Sequence, residues 1–245
     1  MTPVSQTTIS LRGESLAFAR EGYVRLPRSA FATVFPKLQS EVARLREHAK
    51  TRDFIMPGYE TLRRMSTLGG KDIRRLSPVL VDFYQNPAIR ALLSNICGQE
   101  VFACHDENEW QVINWLEGPG ETHGWHLDDP PLALVLFMET PPASDGGALE
   151  FINGWRQLCA VVGSEPERSA TSLIERCRAA GLVTAKVHAT GDAYLMRADQ
   201  CLHRAAPLTA AGARRCVVNL AFELQPEVRR TGVTASLLYD QTKND

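Results

Sequence analysis

The sequence predicts an α+β fold: a jelly-roll barrel (a cupin-like double-stranded β-helix) with N-terminal helices packed on one face and a helical insertion between strands. Three observations predict it. Apolar residues recur at helical spacing through much of the first hundred positions. From about residue 100 the period changes to two, in many short apolar runs. Clusters of Gly, Pro and Asp (EGPGE, DDPP, PPASDGG, ATGD, TAAGA) separate those runs, as the turns of a sandwich or barrel require.

Taken in chain order, Ser15 to Gly22 reads as a short helix running into an extended YVRLP. Lys37 to Lys50 places Leu38, Val42 and Leu45 on one stripe, so this helix should pack on something flat. Pro87 to Cys97 is a further helix, ended by Gly98. The strand runs are Trp110–Leu116, Leu132–Met138, Ala148–Ile152, Val183–His188, Ala193–Met196 and Cys216–Phe222. One helix should interrupt them: Ser164 and Glu167 form a capping-box pattern, and Gly181 stands where a C-terminal stop belongs.

The chain has 245 residues, 44% of them hydrophobic and 22% charged, enough for a sizeable core. No linker divides it, so residues 1–245 are expected to form one domain: a helical portion over about 1–100, a barrel core over about 101–225 and a C-terminal segment, 226–245. A net charge of -1, from 27 Lys and Arg against 28 Asp and Glu, argues against a nucleic-acid partner. The run Leu132–Met138 is far short of the roughly 20 apolar residues that span a membrane. MTPVSQTTISLRG shows no secretory pattern, and the six cysteines include no CxxC pair. A cytoplasmic protein with reduced thiols, monomeric or homodimeric, is the expectation.

Chemistry concentrates in His126-Leu127-Asp128, His203 and Arg214-Arg215. In extended backbone, positions i and i+2 share a face, so His126 and Asp128 would aim at one point. The tripeptide alone is a weak signal. It follows a Gly-rich turn, however, and His203 follows another turn and a short strand. Two imidazoles and one carboxylate from two strands make the facial triad of non-haem iron(II) enzymes, with open positions for a bidentate co-substrate and dioxygen. The co-substrate's far end needs an anion partner, and a guanidinium clamps a carboxylate with two parallel hydrogen bonds. Neighbours on a strand point oppositely. Arg215, Val217 and Asn219 share one face, and a bare amide amid VVNLAF is costly without a polar partner. Arg215 and Asn219 are therefore expected inside and Arg214 outside, with the reverse assignment left open.

This order of HxD, a later His and then Arg resembles the iron(II)/2-oxoglutarate-dependent oxygenases. EGYVRLP looks like the entry segment of their phytanoyl-CoA-hydroxylase branch. More narrowly, THGWHLDDPPLALVLFMETPPASDGG and GDAYLMRADQCLHRAAPL are similar to the BesD/HalD-like family of free-amino-acid halogenases and hydroxylases, from about residue 15 to 225. The resemblance implies iron(II) on His126, Asp128 and His203, 2-oxoglutarate as co-substrate with Arg215 on its distal carboxylate, and O2. The family's halogenases carry Gly where this chain has Asp128, which points to the hydroxylase branch. The implied reaction hydroxylates an unactivated carbon of a free, polar or cationic amino acid, with release of succinate and CO2. Residue by residue, the resemblance also implies a substrate pocket. Glu109 would help to hold substrate nitrogen, His123 would contact substrate and Asp129 would be an acidic lining residue. Arg63 would meet the substrate carboxylate, and Asn219 would be a polar lining residue. Two C-terminal tryptophans of the lysine-specific members are absent from TASLLYDQ, which points away from lysine itself.

Plainer readings stand beside these. His123 is a loop residue or, through HxxH spacing, a rival ligand; Glu109 is a solvated strand entry; Asp129 starts the DDPP turn. Desaturation, ring closure or halogenation would use the same centre. A non-catalytic cupin-like protein binding a metal or small acid is the alternative from outside enzymology.

Overall fold

In the computed structural model, the described residues are 12–168, 170–228 and 233–239. Among them the helices are α1 (Arg12–Glu21), α2 (Phe35–Leu45), α3 (Gly70–Leu76), α4 (Pro78–Gln85), α5 (Pro87–Cys97), α6 (Trp155–Val162), α7 (Ala170–Ala179) and α8 (Val233–Tyr239). The strands are β1 (Tyr23–Leu26), β2 (Lys50–Met56), β3 (Thr61–Leu68), β4 (Phe102–Ala103), β5 (Gln111–Leu116), β6 (Thr122–His126), β7 (Leu132–Glu139), β8 (Leu149–Ile152), β9 (Thr184–Lys186), β10 (Ala193–Arg197), β11 (Leu202–Ala205) and β12 (Arg215–Glu223). Hydrogen bonding orders them β1-β10-β7-β12-β5-β3-β6-β11-β8-β9, with β2 beside β3 and β4 beside β12. Every pairing is antiparallel.

The period-two pattern sorts β7, β10 and β12 into two faces. Leu134, Leu136, Met138, Leu195, Val218, Leu220 and Phe222 point outward into a core shared with the helices. That core contains the Leu38, Val42 and Leu45 stripe of α2 together with Ile89, Leu93 and Ile96 of α5. Each such side chain contributes roughly 1.5–3 kcal/mol on full burial. Val135, Phe137, Tyr194, Met196 and Val217 point the other way, into an inner cluster with Tyr23, Leu149 and Phe151. The jelly-roll with helices on one face is therefore the observed arrangement. Pro at the first turn of α5 and left-handed Gly98 after it (φ 69°) bound that helix as the sequence indicates.

The structure departs from the expectation in two places. The described part of the first hundred residues is mainly helical, as expected, but it also carries a β-hairpin that the sequence did not indicate. Helix α2 stops at Leu45, Lys50 opens β2, and the β2–β3 hairpin inserts β3 between β5 and β6. The barrel sheet thus recruits strands from well before residue 101. The insertion is also two helices rather than one. Ser164 lies after α6, with its N–H on the carbonyl of Cys159 at 2.9 Å, and does not open α7. Gly181 does stop α7: the Leu182 N–H closes back on the Cys177 carbonyl at 2.9 Å while Gly181 takes φ 70°. The pair packs Trp155, Cys159, Leu173 and Ile174 against Trp125, Leu127 and Leu202. These last three adjoin His126 and His203, so the insertion buttresses the backs of β6 and β11 while the histidines face inward.

Candidate metal centre and substrate cavity

The two histidines are brought together by register. His203 of β11 lies directly opposite His126 of β6, with ring centroids 4.2 Å apart. Asp128 follows two residues after His126, its N–H held by the Ala198 carbonyl at 3.0 Å. Its Oδ1 lies 3.3 Å from His126 Nε2 and 3.7 Å from His203 Nε2. One donor atom from each of the three residues falls within 4.8 Å of the others.

Backbone carbonyls fix the tautomers. His126 Nδ1 is 2.6 Å from the Gly124 carbonyl, and His203 Nδ1 is 2.9 Å from the Cys201 carbonyl. A carbonyl only accepts, so both Nδ1 atoms carry hydrogen and both Nε2 lone pairs face Asp128. This is how metal-ligating histidines are held. Burial, with His203 alongside, lowers the His126 pKa to about 4, keeping the ring neutral and able to ligate. Burial acts to raise the Asp128 pKa, but both imidazoles and the Asn219 amide outweigh it and hold the carboxylate low. Two imidazoles and one carboxylate fit a divalent first-row transition metal bound on one face.

Arg215 turns inward as the strand alternation demands, and Arg214 turns out to Glu117 at 3.0 Å and Glu139 at 3.4 Å. The Arg215 side chain lies over Phe137 (5.2 Å to the ring), and the residue is only 5% exposed. Its Nε has no hydrogen-bond partner, and it forms no ion pair, among the described residues. Burial lowers its pKa. Such a desolvated guanidinium is a ready anion site. Gly147, at φ 74°, gives it room: a Cβ there would come within 3.2 Å of Arg215 Cδ.

On the open side of the triad lies a cavity lined by Arg63, Glu109, His123, His126, Asp128, Asp129 and Asn219. All five residues that the resemblance assigned to substrate therefore line this cavity. Arg63 and His123 sit opposite each other across the β3–β6 pairing. Arg63 is 1% exposed, its Nη1 donates to Thr61 Oγ1 at 2.9 Å, and burial lowers its pKa to about 10. Gly124 leaves room beside it, since a Cβ there would lie 3.1 Å from Arg63 Nη1 and 2.5 Å from the Leu62 carbonyl. His123 is excluded from the triad of ligand atoms. Burial, then His126 and Arg63, push its pKa well down, so it is a neutral lining ring.

Sequence reasoning missed several lining residues. Met56 and Tyr59 come from the β2–β3 hairpin, and Thr234, Leu238 and Tyr239 come from α8. The described part of the C-terminal segment, TASLLY, where the resemblance is weakest, thus reaches the cavity. A lone aromatic beside a turn glycine (PGYE) was the one available signal for Tyr59. No sequence feature marked Tyr239.

A buried histidine outside the triad supplies a pH prediction. His188 is hydrogen-bonded to the Tyr23 hydroxyl at 2.9 Å and stacked on Phe137 at 4.3 Å. Burial, with Arg25 and Arg215 near it, lowers its pKa from 6.5 to about 3. The unfolded chain therefore takes up this proton first. Its contribution to stability is complete above pH 6.5 and is lost as pH falls toward 3, at up to ~1.4 kcal/mol per pH unit. Denaturant titrations of wild type and His188→Gln across that window should show a shallower acid decline in the variant; parallel declines would exclude His188 as a source of it.

Comparisons with known proteins bear on the family and the fold. A family model described as halogenase D matches residues 7–239. No curated protein matches the sequence. Among solved structures, the fold is similar to SnoK, a non-heme alpha-ketoglutarate-dependent carbocyclase from nogalamycin biosynthesis. That likeness has a TM-score of 0.65 and 14% identity, covering 100% of this chain and 98% of that one. It is also similar to the epimerase SnoN in complex with Fe3+, alpha ketoglutarate and nogalamycin RO (TM-score 0.64, 17% identity, 96% and 92% covered). EctD from S. alaskensis in its apoform gives a TM-score of 0.61 at 18% identity, with 95% and 88% covered.

Proposed function

This chain belongs to the halogenase D family, and on that premise we propose that it is an iron(II)- and 2-oxoglutarate-dependent oxygenase that hydroxylates a free amino acid. The observation that carries the reading is the convergence of the His126, Asp128 and His203 ligand atoms beside a cavity with charged lining, with buried Arg215 on the same strand and face as the cavity-lining Asn219. His126, Asp128 and His203 hold the metal. When bound, iron(II) with 2-oxoglutarate and O2 supplies the oxidising power, 2-oxoglutarate leaving as succinate and CO2.

The protein's own part is binding, orientation and exclusion of water. Arg215 docks the distal carboxylate of 2-oxoglutarate through charge-assisted hydrogen bonds. Arg63 receives the substrate carboxylate, and Glu109 and Asp129 attract its ammonium group, so the zwitterion is oriented by both ends. Neutral His123 lines the wall without repelling that ammonium. Met56, Leu127 and Leu238 give the cavity an apolar flank that keeps water from the reacting carbon. Asp128 favours hydroxylation over halogenation, because the resembling halogenases lack a carboxylate at that position. Six free thiols support a reducing, cytoplasmic setting.

The test is succinate release with iron(II), 2-oxoglutarate and a panel of polar and cationic amino acids, followed by product mass. Substrate-stimulated succinate release with gain of one oxygen is expected. Tight iron and 2-oxoglutarate binding with no amino acid turned over would overturn the substrate class, and a chlorinated product in chloride buffer would overturn the hydroxylase assignment.

A further inference from the structure

The strand that carries His126 is gripped by a hairpin that carries no ligand. Strand β3 pairs with β6 at Arg64–Thr122 and Arg63–His123, and this ladder goes no further toward His126. Two side chains take over from it. Thr61 Oγ1 donates to the Trp125 carbonyl at 2.8 Å, and the Leu127 N–H donates to the Tyr59 hydroxyl at 3.3 Å. That carbonyl and that N–H belong to the two peptide groups on either side of His126. Because peptide groups are planar, holding both fixes the φ and ψ of the residue between them. The direction of the His126 Cα–Cβ bond, and the path of the chain on to Asp128, follow from those two angles. Leu127 is 6% exposed and lies past the end of β6, where a buried N–H still needs an acceptor.

The tyrosine is itself held in place. The turn that carries it closes through the Glu60 N–H on the Met56 carbonyl at 2.9 Å. Glu60 adopts φ 53°, a left-handed conformation that a residue with a Cβ rarely takes. Such backbone persists only where its surroundings enforce it. Gly58 rests against the segment before α7, since a Cβ there would lie 2.9 Å from the Glu167 carbonyl oxygen. The Tyr59 ring packs on the cluster that contains Trp125, Leu127 and Trp155. Thr61 has a second partner: Arg63 Nη1 donates to its Oγ1 at 2.9 Å. The threonine hydroxyl thus accepts from a cavity-lining guanidinium while it donates to the peptide before His126.

We propose that Tyr59 and Thr61 are positioning residues for the metal centre, their hydroxyls holding the peptide groups on both sides of His126 so that its Nε2 stays aimed at the point shared with Asp128 and His203. The inference rests on the oxygenase reading above. It gives the β2–β3 hairpin a task beyond lining the cavity, and through Arg63 it joins the substrate side of the site to the backbone of a ligand.

Cobalt(II) is the probe, because it shares the ligand preferences of iron(II) and its visible d–d absorption reports coordination geometry. Metal-free wild type, Tyr59→Phe, Thr61→Val and Thr61→Ser are titrated with it, and their melting temperatures are recorded. Tyr59→Phe and Thr61→Val keep the ring and the branched shape and remove the hydroxyl. Each should raise Kd for cobalt(II) about tenfold, the lower end of what loss of a group orienting a metal ligand costs, and should alter the d–d bands. Thr61→Ser keeps the hydroxyl and should return both readings to near the wild-type values. If Thr61→Val fails to fold, Tyr59→Phe decides alone. A hairpin with a purely structural role would lower the melting temperatures and leave Kd and the bands unchanged. That result overturns the inference, as does a Thr61→Ser protein that behaves like Thr61→Val, and both leave the oxygenase reading standing. Failure of wild type itself to bind cobalt(II) sinks that reading and takes the inference with it.

Discussion

His203→Ala is expected to lower iron(II) affinity at least ~100-fold and to abolish succinate release at any attainable metal concentration. Loss of a mere outer-shell partner of a ligand typically costs 10–100-fold, so loss of the ligand itself should cost no less. The site offers no substitute. His126 and Asp128 are fixed by strand register and a backbone hydrogen bond. His123, the remaining imidazole of the cavity, lies 4.0 Å from the His126 ring yet contributes no atom to the convergent set. His123→Ala is the matched control: it should leave metal affinity nearly intact and impair only amino-acid binding. Competition against a chromogenic chelator measures both variants. Equal metal loss in the two would restore the HxxH reading and dissolve the facial triad. The fold should survive in each case, because the hydrophobic support of β11 comes from Leu202 and the insertion helices rather than from the imidazole.

How much of this was legible follows from which physical signal each residue carried. His126 and Asp128 announced themselves through period two, and the inward turn of Arg215 followed from the cost of an amide at Asn219. The opposition of His203 to His126 is a matter of strand register between segments distant in sequence, which no local pattern encodes. The hairpin β2–β3 escaped because Lys50, Arg52, Asp53, Arg63 and Arg64 break the apolar runs. Its strands alternate only weakly in burial, and β2 pairs with β3 alone. Yet that hairpin delivers Arg63 and Tyr59. The insertion read as one helix because Gly163 and Ser164 resemble a start as readily as a stop.

Asp128→Gly should have the largest effect on the outcome of the reaction. The Asp128 N–H bond to the Ala198 carbonyl needs no side chain, so the backbone path from β6 is retained while the carboxylate is removed. The charge at the donor cluster then changes. In the wild type the Asp128 charge faces both imidazoles and repels other anions. Without it, the donor cluster keeps two imidazoles and no anionic ligand, which leaves a position at the metal that an anion could take. Hydroxylated product is expected to fall at least ~100-fold, on the scale of a lost ligand or more. Residual 2-oxoglutarate consumption should become dependent on chloride, as the glycine of the resembling halogenases implies. Product analysis by mass with and without chloride, beside metal affinity, reads this directly. Asp128→Glu separates charge from reach: it keeps the repulsion but misplaces the oxygens, so it should lose hydroxylation without gaining any chloride response. If Asp128→Gly instead hydroxylates at the wild-type rate, Asp128 is no ligand, and the hydroxylase assignment built on it fails.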